Sequence, residues 1–261
     1  MGIALISGAS SGIGEALAWE FAAGGHDLVL VARSADKLTT LAQDIESRHP
    51  VNAYTSPADL SKRGAARRLA GDLEDQGLEI DSLVNCAGVL EHGAFNSMPA
   101  GTHQRLIDLN IGGLTAMLAQ FLPPMTARGA GRIMNVASIA AFQPVPSLTT
   151  YAATKAYVLS LSESLSEELK DTGVTVTALC PGVTDTNMFT TAQEKSAGLR
   201  LPRFAVGEVG DVARQGYEAC MKGEVICVPG ALNQAAALTT RALPRWAVRR
   251  VFGAFGRSTF D

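Results

Sequence analysis

The chain has 261 residues, 47% of them hydrophobic and 18% charged, with 26 glycines and 11 prolines. That profile builds a large core and excludes wholesale disorder. Lys and Arg number 22 against 25 Asp and Glu, a formal net charge of −3, so no global basic field exists to attract nucleic acid. The charge is uneven: residues 241–261 hold five Arg and one Asp, a net of +4, which leaves −7 on residues 1–240. Four cysteines (86, 180, 220 and 227) form no C-x-x-C, and four histidines (26, 49, 92 and 103) are scattered. The cysteines read as reduced, buried and apolar, and no metal site is expected. An apolar strand pattern begins at Ile3 and leaves no charged leader, and no apolar stretch reaches the ~18 residues of a membrane span. A reducing, cytoplasmic compartment is expected.

Short β-type runs alternate with longer helical ones. Strands are predicted at Ile3–Ser7, Asp27–Ala32, Val51–Thr55, Ser82–Asn85, Arg132–Ala137, Val174–Cys180 and Val225–Val228. Several are nearly continuous apolar runs, as in strands covered on both faces. Helices are predicted near 12–24, 35–48, 61–76, 102–128 and 151–170. This alternation predicts a single α/β domain over 1–230: a Rossmann-type, doubly wound, mostly parallel sheet of about seven strands with helices on both faces. Residues 183–205 break the rhythm, being polar and without a clean period. A long irregular insertion of this kind is more often functional than filler, and a substrate-gating lid is expected there. From 231 to 261 the chain is Ala/Leu-rich and then basic, a C-terminal extension.

Ser7-Gly8-Ala9-Ser10-Ser11-Gly12-Ile13-Gly14 follows the first strand and opens the first helix. Glycines here permit positive φ and let backbone N–H groups approach a ligand, and the helix N-terminus favours a phosphate. No Lys-Ser/Thr follows the last glycine, so this is not a P-loop, and the spacing is G-x-x-x-G-x-G rather than G-x-G-x-x-G. A glycine-rich turn can also serve only to pack a helix on its strand. Its place between the first strand and first helix favours the dinucleotide.

At this point the sequence resembles the classical short-chain dehydrogenase/reductase family. The loop is similar to T-G-x-x-x-G-x-G with Ser7 for Thr, and Asn85-Cys86-Ala87-Gly88 resembles N-N-A-G with Cys86 for the second Asn. Asp59 matches the acidic residue that binds adenine, and Asn110, Ser138 and Tyr151-x-x-x-Lys155 match the family's catalytic set. Pro181-Gly182 with Thr186 resembles the motif that holds the nicotinamide carboxamide. The resemblance covers about residues 1–230 and carries six motifs in order. It implies coenzyme contacts at Gly8, Ser10, Ser11, Gly12, Ile13, Gly14, Arg33, Ser34, Asp59, Leu60, Asn85, Ala87 and Gly88. Further contacts are implied at Tyr151, Lys155, Pro181, Gly182, Val183, Thr184 and Thr186.

Each residue also has a plainer reading. Tyr151 and Lys155 stand four apart, neighbours on one helix face that is usually just solvated. Ser138 suits a turn or cap, and Asn110 in mid-helix suits a bond to a carbonyl one turn back. His92 and His103 are assigned no role. Joint placement outweighs these readings, because Ser138 and the Tyr-Lys pair follow C-terminal strand ends, where open α/β sheets bind ligands. As the resemblance implies, Tyr151 is the acid/base, Ser138 donates to the substrate oxygen, and Lys155 binds the nicotinamide ribose. Asn110 then holds the helix and a water that feeds protons to the lysine. An ammonium at Lys155, together with the cationic oxidised nicotinamide, should bring Tyr151 toward the working pH.

An oxidoreductase moving a hydride between nicotinamide and a ketone, aldehyde or secondary alcohol follows; a non-catalytic dinucleotide sensor on the same fold is the alternative. Val89, Leu90, Phe142, Val145, Met188 and Phe189 are expected to make the pocket apolar and to suit a hydrophobic substrate body. Coenzyme choice is read at the end of the second strand. NAD enzymes place an acid there for the ribose 2′-hydroxyl, whereas this chain has Ala32, then Arg33 and Ser34. NADP is therefore expected over NAD, with Arg33 gripping the 2′-phosphate. Met117, Phe121, Val158, Leu161 and Leu165 lie beyond one core face, and the resemblance, to a family that commonly pairs these helices between subunits, implies a homodimer or homotetramer. The tail near Trp246 is amphipathic and basic, suited to subunit packing or, less simply, to a membrane surface.

Overall fold

The computed structural model describes residues 2–184, 207–244 and 246–250. Strands β1 (Ile3–Ser7), β2 (Asp27–Ala32), β3 (Ala53–Pro57), β4 (Ile80–Asn85), β5 (Gly131–Val136), β6 (Val174–Leu179) and β7 (Ile226–Cys227) form one sheet. Its order is β3-β2-β1-β4-β5-β6-β7, and every neighbouring pair is parallel. Alternate side chains enter two cores. Leu5, Val29 and Val31 meet α3 (Ala65–Asp75), α5 (Leu114–Arg128) and α6 (Thr149–Glu168) on one face. Ala4, Ile6, Leu28 and Leu30 meet α1 (Gly12–Ala23), α2 (Ala35–Arg48) and α7 (Val209–Lys222) on the other. Strands buried on both faces explain why the sequence shows continuous apolar runs. This is the doubly wound Rossmann-type fold.

Several boundaries move for local reasons. The third strand begins at Ala53 rather than Val51, because the Asp27 carboxylate accepts from the Asn52 backbone N–H at 2.7 Å and holds it in the preceding turn. The helix expected from 61 begins at Ala65, since Asp59 ties Ser61 into a turn and Gly64 stands at φ +77°. The stretch 102–128 is α4 (Ala100–Ile107), a π-helical turn (Asp108–Gly113) and α5. By length and mean hydropathy (1.3) Ala100–Arg128 is apolar enough to cross a membrane, contrary to expectation. Met117, Phe121 and Met125 of α5 pack into the core on the sheet, and Leu106 of α4 packs with Ala140, Tyr151 and Ala152. A last helix, α8 (Ala231–Ala242), lay outside the predicted set.

The chain winds outward from β1 in both directions, since β1 pairs with β2 on one side and β4 on the other. A crevice therefore opens beyond the C-terminal ends of β1 and β4, where such sheets bind ligands.

Candidate active site

A cavity of about 900 Å³ fills that crevice. The glycine loop lines one end, from Gly8 to Gly14. Gly8 has φ +72°, and a β-carbon at Gly14 would come within 2.3 Å of the Gly8 carbonyl oxygen. The first turn of α1 thus lies directly on the loop. Ser11 precedes it in extended backbone and makes no side-chain cap, so the first-turn N–H groups stay available to an anion. The Ser7 hydroxyl accepts from the backbone N–H of Cys86 (3.0 Å) and Ala87 (3.1 Å) and donates to the Val84 carbonyl (3.2 Å). One hydroxyl so locks the loop to the end of β4, through the backbone of Cys86 rather than its side chain. Burial pushes the Cys86 thiol up to about 11.

Beside the loop lie Ala32, Arg33, Ser34, Asp59 and Leu60. Asp59 accepts from the hydroxyl (2.7 Å) and the backbone N–H (3.1 Å) of Ser61. The Ser61 hydroxyl above all holds its carboxyl below the usual range. Lys37 and Lys62 line the same cavity as Arg33.

The other end is made of buried side chains. Tyr151 and Lys155 are both buried on α6 and face the cavity. Lys155 Nζ donates to the Val136 carbonyl at 2.8 Å and lies 5.8 Å from the centre of the Tyr151 ring. Ser138 follows β5, and its hydroxyl oxygen accepts from the Ala140 N–H at 3.1 Å, capping a 3₁₀ turn over Ile139–Phe142. Burial pushes the Tyr151 phenol up to about 12, against the pull of its hydrogen bond with Ser138. Burial also brings Lys155 down to about 8. The lysine by itself does not lower Tyr151: desolvation outweighs every other influence from the chain on the phenol, and the lysine is bonded to a backbone carbonyl.

Asn110 sits in the π-helical turn behind the cavity wall. Its Nδ2 donates to the Val89 carbonyl (3.0 Å) and Thr154 Oγ1 (3.1 Å), and its Oδ1 accepts from the Val89 N–H (2.9 Å). The simpler bond to a carbonyl one turn back is not what it makes. A β-carbon at Gly88 would lie 3.3 Å from Asn110 Oδ1 and 3.6 Å from Lys155 Nζ, so both groups converge on the bare face of that glycine.

A family model described as short chain dehydrogenase matches residues 2–197. The chain belongs to the short-chain dehydrogenase family. It is 31% identical over 260 residues to the very-long-chain 3-oxoacyl-CoA reductase of Mus musculus, covering 98% of this chain and 80% of the mouse protein. Its structure matches a short-chain dehydrogenase from Sphingobium yanoikuyae in complex with NADPH, with TM-score 0.80, 32% identity, and 94% and 97% of the two chains covered. The bulky-bulky ketone specific alcohol dehydrogenase from Comamonas testosteroni matches with TM-score 0.77, 31% identity, and 94% and 96% covered. This short-chain dehydrogenase is accordingly an oxidoreductase acting on CH–OH and C=O groups.

The dehydrogenase's cavity takes in nearly all of the predicted coenzyme residues, including Pro181, Gly182, Val183 and Thr184. Asn85 is the exception. Its side chain points into the sheet, donating to Asn135 Oδ1 at 2.9 Å, which in turn donates to Ser162 at 2.9 Å. It braces β4, β5 and α6 and does not line the cavity. Thr186, Met188 and Phe189, with the rest of the expected lid from 185 to 205, lie outside the described residues. The ends of that segment are joined, Gly207 N–H donating to the Val183 carbonyl at 2.8 Å. Val89, Leu90 and Val145 wall the cavity as expected, whereas Phe142 packs into the core. Met117, Phe121 and Val158 are also buried within the chain, and Leu161 and Leu165 pack against the same core. Met117, Phe121 and Val158 are therefore not the subunit contacts they were expected to be, whereas Leu161 and Leu165 are only partly buried.

Sequence reasoning missed Lys37, Lys62 and the reach of the C-terminal extension. Lys37 follows Ser34 by one turn and was legible as a second cation near Arg33. Asn233 of α8 lies where a β-carbon at Gly182 would be (2.5 Å to its Nδ2) and donates to the Pro229 carbonyl at 2.8 Å. No local pattern announces that contact.

Proposed function

We propose that this enzyme is an NADP(H)-dependent reductase or dehydrogenase of ketones, aldehydes or secondary alcohols with a hydrophobic body. The observation that carries this reading is a single cavity that holds the glycine loop at one end and Ser138, Tyr151 and Lys155 at the other. The residues fit a dinucleotide: the bare backbone of the loop accepts close approach, and the first turn of α1 offers N–H donors to a phosphate. No carboxylate stands at Ala32 to repel a 2′-phosphate, while Arg33, Lys37 and Lys62 line the same cavity. NADPH bound along it supplies the hydride.

The chain's own groups manage the proton. A phenol at about 12 is fully protonated at neutral pH, so Tyr151 is ready to donate to the oxygen that gains negative charge. Ser138 donates to that oxygen and orients it. Lys155, at about 8, is mostly an ammonium at pH 7; it holds the nicotinamide ribose and favours the tyrosinate once the proton has left. Asn110 acts indirectly, holding Val89 and α6 in place. Val89, Leu90, Ile139, Val145 and Leu148 wall the substrate end, and the names of the mouse and Comamonas relatives point to large carbonyl substrates. A cytoplasmic homodimer or homotetramer belongs to the same reading, with Cys86, Cys180, Cys220 and Cys227 all free thiols.

The test is coenzyme oxidation by the purified protein with aldehydes and with small and bulky ketones. Consumption of NADPH with bulky apolar ketones, faster than of NADH, is expected. NADPH binding without turnover on any of them would overturn the catalytic reading in favour of a dinucleotide sensor. A monomer by light scattering would remove the assembly.

A further inference from the structure

Val89 and Leu90 wall the substrate end and begin a segment that runs to Met98 with no regular element beyond the 3₁₀ turn Phe95–Ser97. Phe95 is 58% exposed, so burial does not fix this end of the loop. We propose that His103 is a positioning residue for the reaction: it pins this wall to the turn of α6 that carries Tyr151 and so governs the fit of bulky carbonyl substrates. The proposal rests on reading the cavity as a reductase site.

His103 projects from α4 and touches both sides. Its Nε2 is 3.1 Å from the Phe95 carbonyl oxygen, and its Nδ1 is 2.7 Å from Thr150 Oγ1. A carbonyl can only accept, which places the proton on Nε2; in the neutral ring Nδ1 then accepts the Thr150 hydroxyl proton. The ring also stacks on Phe95, with centroids 4.3 Å apart and planes at 34°. Thr150 is buried and immediately precedes Tyr151 in the first turn of α6.

Three further ties show what this one adds, one of them from Arg105 of α4, which donates to the Glu91 carboxylate at 2.9 Å. Asn110 grips the start of the segment through both backbone groups of Val89. Gly93 N–H donates to the Ser147 carbonyl at 2.9 Å, joining its middle to the approach of α6. His103 closes the end, leaving Val89 and Leu90 in a loop whose tie next to Tyr151 itself runs through Thr150. Releasing the His103 tie loosens the wall around a large substrate but touches neither the phenol nor the glycine loop.

The experiment uses the full chain with His103→Ala, His103→Gln, Thr150→Val and the His103→Ala/Thr150→Val double variant. KM and kcat are measured for a bulky aryl ketone, with the NADPH dissociation constant and hydrogen exchange of backbone amides. One lost neutral hydrogen bond predicts a rise in KM of about fivefold for His103→Ala, with kcat within about twofold and NADPH affinity unchanged. His103→Gln keeps a donor and an acceptor and should recover most of the loss, as should added imidazole with His103→Ala. Thr150→Val should show the same split, and the double variant should be no worse than either single one, because both break one bridge. Amides of 93–98 should exchange faster while those of the sheet do not.

Equal losses in kcat and NADPH affinity, additive single effects, or unchanged exchange at 93–98 would overturn the proposal. If wild type binds NADPH but reduces no ketone, the functional reading fails separately. The exchange data then decide alone: faster exchange at 93–98 in both single variants supports the tether, and unchanged exchange ends it.

Discussion

The two ends of the cavity are built from opposite materials. The glycine-loop end is backbone: N–H groups, a bare turn and one hydroxyl, Ser7, that locks it to β4. The Tyr151 end is side chain: a phenol, an ammonium and a hydroxyl carried on α6 and after β5, the first two driven from their ordinary ionisation by burial. Backbone recognition needs no desolvated charge and tolerates a solvent-facing rim such as Arg33. Acid/base chemistry needs a phenol and an ammonium held out of water, and the fold must bear that cost.

The sharpest way to break this division is Tyr151→Phe. Removing the hydroxyl should lower turnover by roughly two to four orders of magnitude, the range of general acid/base catalysis. NADPH affinity, read by fluorescence titration, should stay nearly unchanged. Loss of coenzyme binding in that variant would mean that the two ends are not separable.

Next in size is the penalty at Lys155. Its folded value of about 8 lies below the ordinary lysine value of 10.5, so between those limits the unfolded chain binds the extra proton. Stability should therefore rise with pH across that window by up to about 1.4 kcal/mol per unit relative to Lys155→Met. Denaturant midpoints of both proteins from pH 7 to 10 check this; parallel curves would show that the buried ammonium carries no such penalty.

At the coenzyme end the effects are smaller. Arg33→Ala should weaken NADPH binding about tenfold, the scale of a charge-assisted hydrogen bond, and leave NADH nearly unchanged. An unaltered NADPH-to-NADH ratio would acquit Arg33. Lys37→Ala should cost only about threefold in the same ratio, because a flexible ammonium on an exposed helix face is screened by water. A larger loss at Lys37 than at Arg33 would exchange their roles.

Much of the frame is legible in the chain itself because it rests on local periodicity and on motifs with fixed spacing. Seven strands, several of them continuous apolar runs, the Gly8–Gly14 loop, and Tyr151 and Lys155 one turn apart all follow from such patterns. Boundaries are less legible: β3 and α3 start late because the Asp27 and Asp59 carboxylates capture backbone N–H groups in the preceding turns, and propensity does not register such captures. Asn85 lies inside its motif, yet its side chain points into the sheet. The sense in which a side chain leaves a strand end depends on pairing with Asn135, fifty residues away.

Residue order alone is enough for the doubly wound sheet, the glycine turn that needs bare backbone, and the missing acid at Ala32. These follow from hydrophobic period, from the sterics of glycine and from a charge that is absent. The ionisation of Tyr151 and Lys155 belongs to the folded protein, because desolvation depends on everything packed around them. Folding also brings His103 to Phe95 and Thr150, and Asn233 to Gly182. Those pairs come from positions 8 to 51 residues apart, and contacts between distant segments exist only once helices have docked on the sheet.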